Sequence, residues 1–378
     1  MPTPMPVDMP LRPGEASALA EVVFRHLGGR PPTDDVRARL GSRLAALELG
    51  SIRPYIGSLV EDPTHQATYY LAADSLAGPA PAPLLLHLAS SSAPFSALFP
   101  KAMLVARMQP VGGREVVVNA IPFGPRDTAN LRAYAEKLDR AFLPRPQGAL
   151  PSIAAASARP ETGFPAAFEA FRQIRQAGGA NWAAVAGDAG AGLWAAIRAG
   201  WREGYTALAG RLAVPADGNL AGFAETVREQ DLCSRFIVDP SAALDAGTDA
   251  ELEGRFDRAL PLCAEIFDLI RRIRRSFDFE LALDRSPAPT TPEELAFCLG
   301  WLKSHGRAAR LVAPNPGQGE RLAELAAVAR QFNATLSFHS ARDWERVGAA
   351  AAGRVSVTVR LDEEPPPDLV KLTALLRG

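Results

Sequence analysis

The chain has 378 residues, of which 47% are hydrophobic and 22% charged. Such a composition supports a sizeable core and excludes a disordered protein. Its 41 basic and 42 acidic residues give a net charge of -1, which indicates neither nucleic acid nor an anionic membrane as a partner. The three cysteines, Cys233, Cys263 and Cys298, fit no disulfide framework or metal knuckle, and this favours a reducing compartment. No signal-peptide pattern or membrane-spanning apolar run occurs. We therefore expect a soluble, cytoplasmic protein.

The first part of the chain predicts a small α/β region over residues 1–112. Helix patterns follow a proline-rich lead, at residues 17–27 and 36–49. Apolar runs then predict strands, at residues 67–71, 84–88, 102–108 and 115–121. The last two runs flank a turn-rich segment at residues 110–113 and are typical of a hairpin.

From residue 116 onward, strand and helix patterns alternate at intervals of about 25 to 40 residues, which predicts a parallel sheet. The strand patterns lie at residues 116–121, 150–156, 182–187, 206–210, 235–239, 279–284, 310–314, 335–340 and 355–361. The longest helix pattern runs from about residue 249 to residue 275. Nine strands are one more than an eightfold barrel needs, so either 150–156 or 182–187 is expected to be a loop.

We predict an α/β fold in which a (β/α)8 TIM-type barrel over residues 113–378 follows the N-terminal region. A doubly wound open sheet is the alternative, but no GxGxxG motif follows the first strand pattern. Polar residues also recur where the strand patterns end, and barrel active sites are built at those ends. These residues are Asn119, Asp188, Arg211, Asp239, Asp284, Asn315, His339 and Ser340.

Each candidate site residue has a structural alternative. Glu280 lies inside a strand pattern, where a carboxylate either faces the barrel lumen or needs a buried partner. His339 suits acid–base chemistry or metal binding, or bonds to a neighbouring strand end. Asp284 shares a strand face with Glu280 but also suits a loop cap, and Asp239 before a proline also suits a turn. Asn315 opens a glycine-rich loop typical of a turn and, less strongly, of a phosphate site.

Several enzyme classes find no support in the sequence. A Schiff-base aldolase needs a lysine at the end of a barrel strand. The four lysines, Lys101, Lys137, Lys303 and Lys371, lie in predicted helices or outside the barrel. No GxSxG, HExxH or CxxC motif occurs, which removes the serine-hydrolase, zincin and thiol-redox classes.

A series of short motifs gives more specific information between residues 204 and 340. The motifs, in chain order, are RFIVDPS at 235–241, FELALD at 279–284, PTTP at 289–292, LVAP at 311–314, ARQF at 329–332 and LSFHS at 336–340. In order and spacing this series resembles the tagaturonate (fructuronate–tagaturonate) epimerase family. Members of that family are metal-dependent barrel enzymes that invert C4 of a keto-hexuronate. The resemblance implies a small sugar acid as substrate and a divalent ion such as Zn²⁺ or Mn²⁺.

The departures from the family pattern concern the metal. Gly210 stands where the resemblance implies an aspartate that acts as the catalytic base, and Arg211 stands where it implies a histidine that binds the metal. Leu295 stands where it implies a second histidine ligand. His339 matches the third ligand, and Glu280 matches the family's acid. A divalent ion needs three or four converging ligands, so one histidine cannot hold it. The cofactor is therefore left open, with the metal site expected to be degenerate.

The leading hypothesis is a sugar-acid epimerase or isomerase-related barrel protein in which Glu280 and His339 transfer protons. An arginine can pair bidentately with a carboxylate, so Arg211 is expected to bind the substrate's acid group. The expected substrate-binding residues are Arg211, Asp239, Asp284 and Asn315. The alternative is a catalytically inactive barrel descendant that binds a ligand or a partner protein, and a metal-free isomerase or lyase lies between the two. A homo-oligomer is compatible with either hypothesis.

Overall fold

The structure is a computed structural model of the chain. It describes residues 52–62, 64–65, 67–74, 82–90, 103–108, 116–176, 183–244, 252–339 and 354–362. The helix patterns before residue 50, between 341 and 353 and after 362 lie outside the described residues. The chain forms two compact units, Met1–Leu143 with Leu193–Arg202, and Pro144–Gly192 with Glu203–Gly378.

The first unit contains a five-stranded antiparallel sheet in the order β1-β2-β3-β5-β4. The strands are β1 (Ile52–Asp62), β2 (Ala67–Asp74), β3 (Ala82–Ser90), β4 (Met103–Met108) and β5 (Val116–Pro122). The strands predicted from the apolar runs are confirmed, and so is the antiparallel pairing of the last two. Helix α1 (Thr128–Lys137) and a short 3-10 turn (Arg140–Phe142) follow the sheet.

The buried face of α1 packs on aromatic and backbone groups of the first unit. Leu131, Tyr134 and Ala135 are its buried residues. The Tyr134 ring lies 6.0 Å from the Phe123 ring and 6.2 Å from the Phe142 ring. Its hydroxyl donates to the carbonyl oxygen of Ser58 in β1. A buried tyrosine needs such a polar partner for its hydroxyl.

The second unit is a closed barrel of eight parallel strands with helices between them, a (β/α)8 TIM barrel. Its strands are β6 (Ser152–Ala156), β7 (Ala183–Ala186), β8 (Thr206–Leu208), β10 (Arg235–Asp239), β11 (Asp278–Ala282), β12 (Leu311–Ala313), β13 (Thr335–Phe338) and β14 (Val355–Arg360). The two-residue strand β9 (Leu212–Ala213) pairs with β10 alongside the barrel. The barrel closes because β14 pairs with β6.

The described helices follow the strands as the sequence pattern predicts. They are α2 (Pro160–Gln176), α3 (Ala189–Ala199), α4 (Phe223–Glu229), α5 (Leu252–Phe256), α6 (Ala259–Ile273), α7 (Pro292–Ser304) and α8 (Leu322–Gln331). The start of α7 carries a capping box, because the side chains of Thr291 and Glu294 each accept a hydrogen bond from the other residue's backbone N–H. No helix in the described part of the chain is both long and apolar enough to cross a membrane.

Three details of the predicted barrel are wrong. Residues 116–121 form β5 of the antiparallel sheet and not the first barrel strand, because they pair with β3 and β4. Neither 150–156 nor 182–187 is a loop, since they contain β6 and β7. The long helix predicted near 249–275 is the two helices α5 and α6. The compact unit that contains the barrel begins at Pro144, and the predicted division into domains at residue 113 stays a prediction.

A loop lies against the amino-terminal ends of the barrel strands. The backbone N–H groups of Gln147 and Gly148 donate to the Asp278 carboxylate at 2.7 and 2.9 Å. The Thr335 hydroxyl donates to the carbonyl oxygen of Ala149. Burial raises the pKa of Asp278, against the lowering effect of the two backbone donors. These bonds hold the loop against the first residues of β11 and β13.

Candidate active site in the barrel lumen

The lumen of the barrel combines small apolar side chains with a few charged ones. Six buried side chains from six neighbouring strands pack together across it: Ala154, Ala184, Leu208, Ile237, Ala282 and Ala313. Alternate residues of a strand point to the same face. Arg235 and Asp239 therefore face the lumen with Ile237, and Glu280 faces it with Ala282. Asp284 lies in the turn that follows β11.

Arg235 and Glu280 form a fully buried ion pair in this lumen. Arg235 Nε and Nη2 lie 2.7 and 2.6 Å from Glu280 Oε2. Nη1 donates to the Ser356 hydroxyl at 2.9 Å, and Nη2 also donates to the Ser337 hydroxyl at 2.8 Å. Ser152 in turn lies 2.6 Å from Ser356, hydroxyl to hydroxyl. This network satisfies an arginine that would otherwise be a buried, uncompensated charge.

The ion pair fixes the protonation state of Glu280. Burial raises its pKa, but the charge of Arg235, the neighbouring His339 and a hydrogen bond from Ser337 outweigh burial and lower the pKa to about 2. Glu280 is therefore a carboxylate at neutral pH. The acid role that the resemblance implies needs a protonated carboxyl group, and the Arg235 pair opposes that state.

His339 contacts the second oxygen of Glu280. It follows β13 directly, and its Nε2 lies 2.9 Å from Glu280 Oε1. Both atoms are buried, and neither makes a hydrogen bond of good geometry in the described part of the chain. The His339 side chain is 15% exposed and that of Glu280 is 0% exposed. The Glu280 carboxylate therefore lies between two side chains. One oxygen contacts the buried guanidinium of Arg235, and the other contacts the partly accessible imidazole of His339.

Arg211, Asp239 and Asp284 form a second charged cluster at the carboxyl ends of β8, β10 and β11. Arg211 Nη1 donates to Asp239 Oδ2 at 2.9 Å and to Asp284 Oδ1 at 2.6 Å. Nη2 donates to Asp284 Oδ2 at 2.7 Å, so the Asp284 pair is bidentate. The Arg211 and Asp239 side chains are 15% and 4% exposed.

Strand pairing brings this cluster together. Arg211 immediately precedes β9, which pairs with β10 so that Ala213 lies opposite Asp239. Burial alone would lower the pKa of Arg211. The hydrogen bonds to Asp284 and Asp239 outweigh burial and raise the pKa above its usual range. One guanidinium faces two carboxylates, so the cluster offers no unpaired cation for the acid group of a substrate. The predicted contact of Arg211 with a substrate carboxylate would therefore have to replace its bonds to Asp239 or Asp284.

Asn315 joins two loops above the barrel. Its side-chain amide donates to the carbonyl oxygens of Ser286 and Ala288 at 2.8 and 3.2 Å. Its side-chain oxygen accepts from Gly317 N–H at 3.0 Å, and its own N–H donates to the Thr290 hydroxyl at 2.9 Å. These bonds link the β11–α7 loop to the β12–α8 loop. Its expected substrate contact stays a prediction.

The remaining strand-end residues make other contacts or lie outside the described part of the chain. Asn119 belongs to β5 in the first unit, where its amide nitrogen lies 3.2 Å from His87 Nδ1. Asp188 accepts a hydrogen bond from Ala191 N–H at the start of α3. Ser340 lies outside the described residues. The contacts therefore define two lumen-facing clusters, Arg235–Glu280–His339 and Arg211–Asp239–Asp284.

Sequence reasoning missed Arg235, Ser337 and Ser356. Arg235 opens a strand pattern and was not a strand-end residue, although it stands two and four positions before Ile237 and Asp239 on the same face. That alternation, together with a carboxylate inside the next strand, is a signal that could have found the pair. The two serines sit in strand patterns with no charge to mark them.

The residues present do not fit a divalent metal ion. Within the described ranges there is no group of three or more histidine, cysteine, aspartate or glutamate side chains that could hold one. His339 has one carboxylate neighbour, Glu280, whose other oxygen is held by Arg235. The carboxylates of Asp239 and Asp284 already surround the Arg211 guanidinium. A zinc-type site needs three or four protein ligands, which neither cluster provides while the arginines occupy its carboxylates.

The fold and the site together define a (β/α)8 barrel protein with two charged clusters in its lumen. The chain is similar to a glycerol-bound crystal structure of fructuronate-tagaturonate epimerase UxaE from Cohnella laeviribosi. The TM-score is 0.62 at 17% identity, over 87% of this chain and 75% of that chain. The native structure of the same enzyme gives a TM-score of 0.62 at 16% identity, over 85% of this chain and 75% of that chain.

A third structure of that enzyme, with two glycerol molecules, gives a TM-score of 0.61 at 16% identity, over 85% of this chain and 74% of that chain. No protein-family profile matches the chain, and no curated protein matches it. At this level of identity the likeness shows a shared barrel fold, and the function has to be argued from the site.

Proposed function

We propose that the chain is a sugar-acid epimerase or isomerase that acts on a keto-hexuronate-like substrate at the carboxyl-terminal mouth of the barrel. The observation that carries the proposal is the contact between His339 Nε2 and Glu280 Oε1 at 2.9 Å. A partly accessible imidazole beside a buried, ionised carboxylate is an arrangement that suits proton transfer. The fold shared with fructuronate-tagaturonate epimerase supports the choice of a sugar acid.

In this proposal His339 takes one proton from the substrate and returns it, while Glu280 remains ionised. Because Nε2 faces Glu280, the proton enters and leaves the imidazole through Nδ1. The charge of the carboxylate stabilises the imidazolium form during the transfer, as carboxylates do for catalytic histidines in other folds. Arg235 keeps Glu280 in the charged form that this role requires.

The second cluster would bind the substrate. Asp239 and Asp284 present carboxylate oxygens, which accept hydrogen bonds from sugar hydroxyls. Arg211 can bind the substrate's acid group only where one of these aspartates moves aside. Asp284 is the candidate for that movement, since its side chain is 22% exposed. Asp239, at 4% exposed, is held more tightly.

The test is conversion of tagaturonate and fructuronate by the purified protein, followed by NMR in a buffer that contains EDTA. We expect the two epimers to interconvert with wild type. His339→Asn should lower the rate by about 100-fold or more, since positioned acid–base groups contribute at least that much. His305→Asn is the matched control, because His305 lies exposed at the end of α7. Absence of turnover with every hexuronate would contradict the proposal.

A second candidate function is ligand binding without catalysis. The observation that favours it is that Arg235 and Arg211 both engage carboxylates of the same chain. Internal pairing of this kind is also typical of charged groups that only maintain a structure. A keto-hexuronate that raises the melting temperature of wild type and remains unchanged by NMR would favour this function over catalysis.

A further inference from the structure

The cluster at the barrel mouth is arranged as two anions around one cation. A single atom, Arg211 Nη1, lies 2.9 Å from Asp239 Oδ2 and 2.6 Å from Asp284 Oδ1. The two carboxylate oxygens are therefore close neighbours. Without a cation between them, each carboxylate would disfavour ionisation of the other. The guanidinium removes that repulsion.

We infer that Arg211 is a built-in cation, which does at the barrel mouth what a bound divalent ion would otherwise do for Asp239 and Asp284. The resemblance to a metal-dependent family implies an ion held at the positions of Arg211, Leu295 and His339, while the described residues offer no group of three ligands for it. An arginine side chain is never deprotonated in proteins, so its charge is permanent and needs no loading. The wild-type protein is then independent of divalent metal.

The same geometry predicts the effect of removing the Arg211 side chain. Arg211→Ala would leave two carboxylates that converge on the space of the missing guanidinium. Carboxylate oxygens together with water are the ligands that Mg²⁺ and Mn²⁺ prefer, whereas Zn²⁺ favours nitrogen and sulfur. The variant should therefore gain a site for a hard divalent cation that the wild type lacks.

The experiment is Mn²⁺ binding, followed by electron paramagnetic resonance and calorimetry, to wild type, Arg211→Ala and the double variant Arg211→Ala/Asp284→Asn. We expect R211A to bind one Mn²⁺ at least about tenfold more tightly than wild type, a difference of about 1.4 kcal/mol. The double variant should lose this gain, because Asp284 provides half of the site. Equal Mn²⁺ affinity in all three proteins would overturn the inference.

Two further measurements cover a variant that folds poorly. R211A is purified with and without 1 mM MnCl₂, and a higher melting temperature or recovery of folded protein with Mn²⁺ supports the inference. A variant that stays unfolded in both buffers overturns it. The melting temperature of wild type in EDTA is the second measurement, and a fall relative to Mn²⁺ buffer also overturns it. None of these readouts involves a sugar acid, so they are independent of the proposed catalytic function.

Discussion

The buried Arg235–Glu280 pair leads to a prediction about stability whose size follows from its burial. The Arg235 side chain is 2% exposed and that of Glu280 is 0% exposed, so solvent does not screen the pair. Arg235→Met leaves the Glu280 carboxylate without its guanidinium and the hydroxyls of Ser337 and Ser356 without their donor. Breaking a buried pair in this way costs about 3–5 kcal/mol. We expect R235M to lose that much free energy of unfolding.

Removal of both charges should cost less than the sum of the single losses. In Arg235→Met/Glu280→Met no uncompensated ion remains, and apolar replacement of a buried pair is often close to neutral. The coupling energy from the double-mutant cycle should therefore reach about 2 kcal/mol or more.

Urea denaturation followed by circular dichroism measures all these variants. Arg172→Met is the matched control, because Arg172 pairs with Glu169 on the exposed surface of α2 at 2.7 Å. Exposed pairs contribute about 1 kcal/mol or less, so this control should remain near wild type. The reasoning is refuted if R235M costs no more than R172M, or if the double variant costs the full sum of the two single variants.

Three further predictions concern pH and local structure. The pKa of Glu280 is lowered to about 2, so its contribution to stability is complete above its unfolded pKa and is lost as the pH falls toward 2. Between pH 5 and pH 2 the free energy of unfolding of wild type should fall by about 3 kcal/mol more than that of Glu280→Gln. Parallel curves of unfolding free energy against pH would contradict this. Asn315→Ala removes the bonds to the Ser286 and Ala288 carbonyls, so hydrogen exchange should accelerate in both loops, with a loss of about 1–3 kcal/mol by urea denaturation. Thr291→Ala removes the capping box of α7 and should cost about 0.5–2 kcal/mol by the same assay, whereas Thr291→Ser should retain most of the stability.

The alternation of strand and helix patterns was sufficient to predict the barrel. The error at residues 116–121 arose because a short apolar run looks the same in a parallel and an antiparallel sheet. What decides between them is the partner strand, and β5 pairs with β3 and β4. The partners of a strand depend on the topology of the chain, and the hydrophobic pattern of a single segment carries no information about them.

The site was partly predictable for a similar reason. The rule that polar residues follow barrel strands pointed to Arg211, Asp239, Asp284 and His339, which all belong to the two charged clusters. It could not give their partners, because Arg211 bonds to residues 28 and 73 positions away. It also overlooked Arg235, which pairs with Glu280 across 45 positions from the opposite end of its strand.

The most direct test of the proposed chemistry is solvent-deuterium exchange into the substrate. Tagaturonate is incubated in D₂O with EDTA, and its C–H signals are followed by proton NMR. If His339 beside Glu280 transfers a proton to and from carbon, wild type should introduce deuterium, and His339→Asn should do so about 100-fold more slowly. Equal rates in the two proteins would contradict the assignment of His339, and no deuterium in the recovered sugar acid would contradict the transfer of a proton to and from carbon.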